Sequence, residues 1–215
     1  MTGPDPVVPP GTSKGPLDAV LFDVGNVIVR WDPRTLYSQV FSDAGERDRF
    51  LAEVCTMDWH CEHDRGVPMS ENAAALIAAH PHYREAILDW DRRWDEMFSG
   101  LIPETVSVIE DLHAGGVPLF ALTNMPAEKA DAIFAMSPVF GLFQDIVVSA
   151  VERVIKPDPR AFDIACERAG RTPEQIVFID DSAVNIDAAR AFGMDAIFFH
   201  DTAALRPQLQ ARGLL

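Results

Sequence analysis

Five short, almost wholly apolar runs constrain the fold of this chain more than any other feature, because three of them stop abruptly at acids, a hydroxyl or an amide. They are Asp18–Asp23, followed by Gly25-Asn26; Val117–Leu122, ending at Thr123-Asn124; Asp145–Ser149; Gln175–Ile179, ending at Asp180-Asp181; and Asp195–Phe199. A continuous apolar run of this length reads as a strand covered on both faces, which is the environment of a parallel sheet. Helical patterns separate the runs. Pro103–Ala114 places Val106, Ile109 and Leu112 three apart and stops at Gly115-Gly116. Pro126–Met136 opens with proline, while Pro159–Ala169 and Ala183–Phe192 end at Gly170 and Gly193. Proline inside the first turn and glycine past the last are the usual helix boundaries. The alternation predicts an α/β fold: a Rossmann-like, doubly wound parallel sheet.

The stretch between the first two runs has another character. Pro33 to Ser99 contains helix-like segments near 34–56, 70–80 and 82–98 and no convincing strand. It is expected to form an all-helical cap domain over 33–99, inserted into a catalytic core made of 17–32 and 100–215. The Pro- and Gly-rich residues 1–16 read as a disordered N-terminal tail, without the basic and apolar regions of a signal peptide.

The net charge of −15 disfavours nucleic acid and anionic membranes, which need Lys and Arg to displace counterions. No apolar run approaches the roughly 18 residues of a membrane span. Three cysteines, Cys55, Cys61 and Cys166, form no CxxC pair and read as reduced thiols. The expectation is a cytoplasmic monomer or homodimer with a small-molecule partner.

Ligands of open parallel sheets sit beyond the carboxyl ends of the strands, where strand order reverses. If the runs ending at Asp23, Thr123-Asn124 and Asp180-Asp181 are neighbours, one mouth gathers three carboxylates, a hydroxyl and an amide. Each element alone has a plainer role. Gly25-Asn26 suits a turn, Asn124 and Ser182 suit helix caps, and Lys156-Pro157 suits a solvated loop.

Four motifs in order decide between these readings. LFDVGNVIV (Leu21–Val29), ALTNMP (Ala121–Pro126), VIKPDPRAF (Val154–Phe162) and FIDDSAVNIDAAR (Phe178–Arg190) resemble those of the haloacid dehalogenase-like hydrolases, in the branch with a helical cap after the first strand. The resemblance implies a phosphatase acting on small phosphorylated metabolites, sugar phosphates among them, through an aspartyl-phosphate at Asp23. It implies that Asp23, the Gly25 carbonyl and Asp181 bind Mg²⁺, with Asp180 and Asn185 in the outer shell. Thr123 and Asn124 would hold phosphate oxygens, and Lys156 would neutralise charge between phosphate and Asp23. The chemistry asks for these types: an anionic nucleophile meets a phosphate dianion only where a cation offsets the repulsion.

One departure stands out. The family's phosphatases carry a second aspartate two positions after the nucleophile as general acid and base, and here that position is Gly25. A cap residue or water could supply the proton, the leaving group could need little protonation, or the chain could bind phosphate without turning it over. Asp32 is one candidate donor. A 2-haloacid dehalogenase using the same nucleophile is the rival activity, although the paired acids Asp180-Asp181 argue against it. In the cap segment Asp58–Gly66, Trp59 either stacks on a sugar or packs the cap, and Arg65 either binds an anionic group or forms a structural ion pair. His60, Cys61 and His63 lack a fourth ligand at zinc-site spacing, and Trp90 and Trp94 read as cap packing.

Overall fold

In the computed structural model, which describes residues 16–215, five strands form one parallel sheet. The expected N-terminal tail lies outside these residues, apart from Pro16. The strands are β1 (Ala19–Phe22), β4 (Leu119–Thr123), β5 (Asp145–Val148), β6 (Ile176–Asp180) and β7 (Asp195–Phe198), in the order β5-β4-β1-β6-β7. All pair in parallel, with Phe22 level with Ala121 on one side and Ile179 on the other. Strand order therefore reverses around β1, and the ends of β4, β1 and β6 meet at one edge.

Alternation along β1 shows why its run is apolar throughout. Val20 and Phe22 join a cluster with Val108, Ile109 and Leu112 of α6 (Pro103–Ala114), Ile133 of α7 (Ala127–Ala135) and Leu205 of α11 (Thr202–Gln210). Ala19 and Leu21 join the opposite cluster, with Phe162 and Ala165 of α9 (Pro159–Ala169) and Ile186 and Ala189 of α10 (Ala183–Phe192). Period two turns neighbouring residues to opposite faces, so a strand with helices on both sides has no polar face to spare. The sheet is doubly wound, as the alternation of runs and helical patterns predicts.

The helical cap contains α1 (Pro33–Val40), α2 (Ala44–Glu53), α3 (Met57–Asp64), α4 (Met69–Ala79) and α5 (Arg84–Arg92). Its own apolar cluster is built on Leu36, Tyr37, Phe50, Ile87, Trp90 and Trp94. An antiparallel ribbon joins it to the core: β2 (Val29–Trp31) pairs with β3 (Phe98–Leu101). The sequence reading has no strand here. It reads residues 29–32 as core and 98–99 as cap, whereas those two segments pair with each other across nearly seventy residues. A remaining short helix, α8 (Ser149–Glu152), follows β5 directly. Among the described residues, no helix is long and apolar enough to cross a membrane.

Candidate active site

Asp23 leaves the carboxyl end of β1 with its backbone N–H donated to Ile179 O at 2.8 Å, which continues the β1–β6 ladder one residue past the strand. Its side chain is buried, and Oδ1 accepts from the Val24 N–H at 2.7 Å and lies 2.9 Å from Lys156 Nζ. Lys156 reaches Asp180 Oδ2 as well, at 2.7 Å, and is itself 2% exposed. Asp180 is further held by Asn185 Nδ2, 3.1 Å from both oxygens, and by the Ser182 N–H at 2.8 Å to Oδ1. Both Asp180 oxygens are thus occupied, and Asp181 is the more open acid of this pair. Asn26 hydrogen-bonds Asp181. It sits in the left-handed region (φ 54°), which Asn tolerates better than most residues, and its Oδ1 also accepts from the Trp31 N–H at 3.0 Å.

Carboxylate oxygens of Asp23, Asp180 and Asp181 all lie within 4.8 Å of one another. One ammonium among three carboxylates leaves the cluster net negative. Burial, with Asp180 and Asp181 adding to it, pushes Asp23 up to about 7 despite the opposing pull of Lys156. Lys156 is pulled down by burial, but Asp180 and Asp23 outweigh this and raise it, so it stays charged. Asp181 is also raised, by burial and by Asp180. A pocket that disfavours its own negative charge in this way suits an added cation, and all-oxygen donors suit a hard one such as Mg²⁺. The residues fit that ion.

Thr123 at the end of β4 is buried and lines the same cavity. Asn124 does something else with its side chain. Its Oδ1 accepts the Lys156 N–H at 2.9 Å and its Nδ2 donates to Lys156 O at 3.0 Å. This two-bond clamp fixes the backbone from which Lys156 projects, so the carboxamide is committed to Lys156 even though Asn124 lines the cavity.

The cavity above Asp23 has a volume of about 210 Å³. Its floor is Asp23, Gly25, Thr123, Lys156 and Asn185. Its walls are mainly apolar: Val29, Trp31, Phe98 and Met125, with Met57 and Trp94 from the cap. The cap adds three polar residues, His60, Cys61 and Asp64. Burial, and secondarily His63, pushes His60 down to about 3, so it is neutral at pH 7 and its 3.6 Å approach to Asp64 is no ion pair. Lys156 is accordingly the one cation among the described residues that line the cavity.

The two cap residues expected to contact substrate lie elsewhere. Met57, His60, Cys61 and Asp64 follow helical spacing along one face of α3, and that face lines the cavity. Trp59 is off this face, edge-on to Trp90 with Nε1 3.4 Å from Asn72 O, as a cap-packing residue. Arg65 at the helix end is exposed and paired with Glu62 at 2.6 Å. Asp32 caps α1, accepting the Arg34 N–H at 2.8 Å, and is absent from the cavity lining. His63 meets Asn72 Nδ2 at 3.0 Å, and the three acids are the one potential metal cluster among the described residues, so the histidines build no zinc site.

Sequence and fold comparisons agree with this geometry. The haloacid dehalogenase-like hydrolase family profile matches residues 17–193, and the chain belongs to that family. It is 26% identical over 203 residues to the sesquiterpene phosphatase AstK of Aspergillus oryzae, covering 89% of this chain and 94% of that one. It is 25% identical over 189 residues to a phosphorylated carbohydrates phosphatase of Thermotoga maritima, covering 85% and 84%. The fold matches a Bacteroides thetaiotaomicron enzyme of the family in complex with magnesium and inorganic phosphate, at TM-score 0.65 and 18% identity, covering 88% and 98%. Dehalogenases share the fold too. Two relatives that it matches over most of their length are phosphatases, and the chain is a hydrolase of this family.

Proposed function

We propose that the chain is a magnesium-dependent phosphatase that works through an aspartyl-phosphate on Asp23, and that its substrates are monoesters of uncharged, largely apolar alcohols. The observation that carries the first part is the convergence of Asp23, Asp180 and Asp181 around one buried lysine. Asp23, Asp181 and the Gly25 carbonyl would hold Mg²⁺, with Asp180 and Asn185 in the outer shell. Bound there, the ion supplies the positive charge that lets a carboxylate approach a phosphate dianion. Asp23 is the nucleophile, its plane set by the Val24 N–H and Lys156 on Oδ1. Lys156 would offset charge as the phosphoryl group arrives, and the Thr123 hydroxyl on the cavity lining would donate to an equatorial oxygen. Covalent capture divides hydrolysis into two easier steps.

The cavity walls carry the second part. Trp31, Trp94 and Phe98 offer ring surface, and a second anionic group on the substrate would meet Asp64 and neutral His60 with no cation to receive it. This favours aryl or hydrocarbon monophosphates over carboxylate-bearing ones and over polyhydroxylated sugars. The sesquiterpene phosphatase relative points the same way. The same charge balance disfavours 2-haloacids, whose carboxylate would face the acid cluster.

The test is phosphate release from a panel of aryl, prenyl, sugar and carboxylated monophosphates with Mg²⁺, alongside chloride release from 2-chloro acids. Aryl and prenyl esters should be hydrolysed fastest. EDTA or Asp23→Asn should abolish turnover, and acid-quenched wild type should carry phosphate by intact mass where Asp23→Asn does not. Chloride release that ignores EDTA would refute the reading.

A further inference from the structure

Given the phosphatase reading, Gly25 leaves the reaction without its usual proton donor, and the cavity offers few groups to replace it. The Lys156 ammonium is held between Asp23 and Asp180, and outside that cluster the side chains on the lining that can carry a transferable proton are His60, Cys61, Asp64 and Thr123. His60 is neutral down to about 3 because burial disfavours its charge. Burial also raises the Cys61 thiol, making it a still weaker acid. Thr123 is a hydroxyl, and Asp32 is engaged as a helix cap away from the cavity. Asp64 remains.

We propose that Asp64, at the end of α3, is the general acid and base that stands in for the residue missing at Gly25. Three observations support it besides its place in the cavity wall. First, Asp64 is fastened to the catalytic core: its carbonyl accepts from Ser149 Oγ at 2.7 Å, and that same hydroxyl oxygen accepts the Met125 N–H at 3.0 Å. Second, two residues on, Gly66 adopts φ +92° so close to the core that a Cβ would stand 2.7 Å from the Ala150 carbonyl oxygen. The chain at and just after Asp64 is therefore pinned to the ends of β4 and β5, the latter strand running straight into α8. Third, Asp64 is 4% exposed and its Oδ1 meets no hydrogen-bond partner among the described residues. An unpartnered buried carboxyl oxygen favours the neutral acid, which is the form that can donate. The groups facing it are His60 and Arg65 of its own helix and Lys156 of the core. Burial outweighs Lys156 and Arg65 and pushes it up to about 7, close to where a general acid works best.

In the first step an Asp23 oxygen bonds to phosphorus and the bond from phosphorus to the ester oxygen breaks. The electron pair passes to that oxygen, which takes the Asp64 proton and departs as the alcohol. In the second step water attacks the aspartyl-phosphate phosphorus while its proton goes to the Asp64 carboxylate. The bond from phosphorus to the Asp23 oxygen breaks, returning the electron pair to Asp23, and inorganic phosphate leaves with Asp64 protonated again.

The experiment compares wild type and Asp64→Asn on an aliphatic monophosphate, whose alcohol is a very weak acid, and on para-nitrophenyl phosphate, whose phenolate departs unaided. Asp64→Asn should lower kcat on the aliphatic ester by about 10²–10⁴-fold, the usual worth of general acid–base help, and change the nitrophenyl ester at least tenfold less. Retained nitrophenyl turnover also reports an intact fold. Equal losses on both esters, or no loss on either, would overturn the assignment to Asp64 while leaving the phosphatase reading intact. If wild type releases phosphate from neither ester nor from the wider panel, both readings fall.

Discussion

Replacing Lys156 by methionine keeps the length of the side chain and removes the one ammonium from the acid cluster. The remaining contacts set the magnitude. Asp180 keeps the Asn185 amide at 3.1 Å and the Ser182 N–H at 2.8 Å, whereas Asp23 Oδ1 keeps only the Val24 N–H at 2.7 Å. Removing one partner of a buried pair costs about 3–5 kcal/mol. The donors left on Asp180 place this case at the lower end, about 3 kcal/mol, felt mostly through Asp23. For a chain of this size that is a fall in Tm of about 6–12 °C, at about 2–4 °C per kcal/mol. The effect should depend on pH with a definite sign. Asp23 sits at about 7, above its ordinary value, so the folded state binds the extra proton and this contribution is present at low pH and lost as pH rises through 7. Lys156 is one of the influences holding Asp23 down, so its removal raises Asp23 further. The deficit should be full at pH 8 and shrink towards pH 5, where Asp23 is largely protonated in both proteins. Thermal unfolding followed by circular dichroism in EDTA measures this. In a double-mutant cycle, Asp23→Asn with Lys156→Met should be less destabilised than the sum of the singles by about 1 kcal/mol or more. Strict additivity, or a deficit that does not change with pH, would refute the reasoning.

Two further expectations concern the cap. With saturating Mg²⁺, kcat/KM for an aliphatic phosphate should fall as pH rises through about 7, because Asp64 loses its proton there, and a pH–rate profile of Asp64→Asn should lack this limb. Gly66→Ala forces a side chain into a positive φ and against the Ala150 carbonyl. It should destabilise the chain by about 1–3 kcal/mol in urea titration and lower activity on the aliphatic ester more than on the nitrophenyl ester.

The elements that carry the acid cluster were legible because their signals are local. An apolar run with no polar face names a doubly covered strand, and the residue where it stops names the site, as at Asp23, Thr123 and Asp180. The ribbon was illegible for the opposite reason. Val29–Trp31 is three residues long, and its partner lies nearly seventy residues away. Asn124 shows how a residue type reveals that a hydrogen bond is made, but not with whom. For Trp59 and Arg65 chemistry alone left substrate contact and structural packing open, because it does not give their angular position. The helical period from Met57 through His60 and Cys61 to Asp64 was in the sequence, but knowing that this face turns towards Asp23 required the docking made by Ser149 and Gly66.

The paired β2 and β3 strands have a consequence for how such a protein changes. Both connections between the two bodies run side by side, so a different insert grafted at that isthmus would leave Asp23, Lys156, Asp180 and Asp181 untouched. What it would replace, in one exchange, is the cap's share of the cavity wall, Met57 and Trp94, together with Asp64. On the proposed reading of Asp64, part of the preference for a leaving group and the means of protonating it would thus be inherited as a single transferable part.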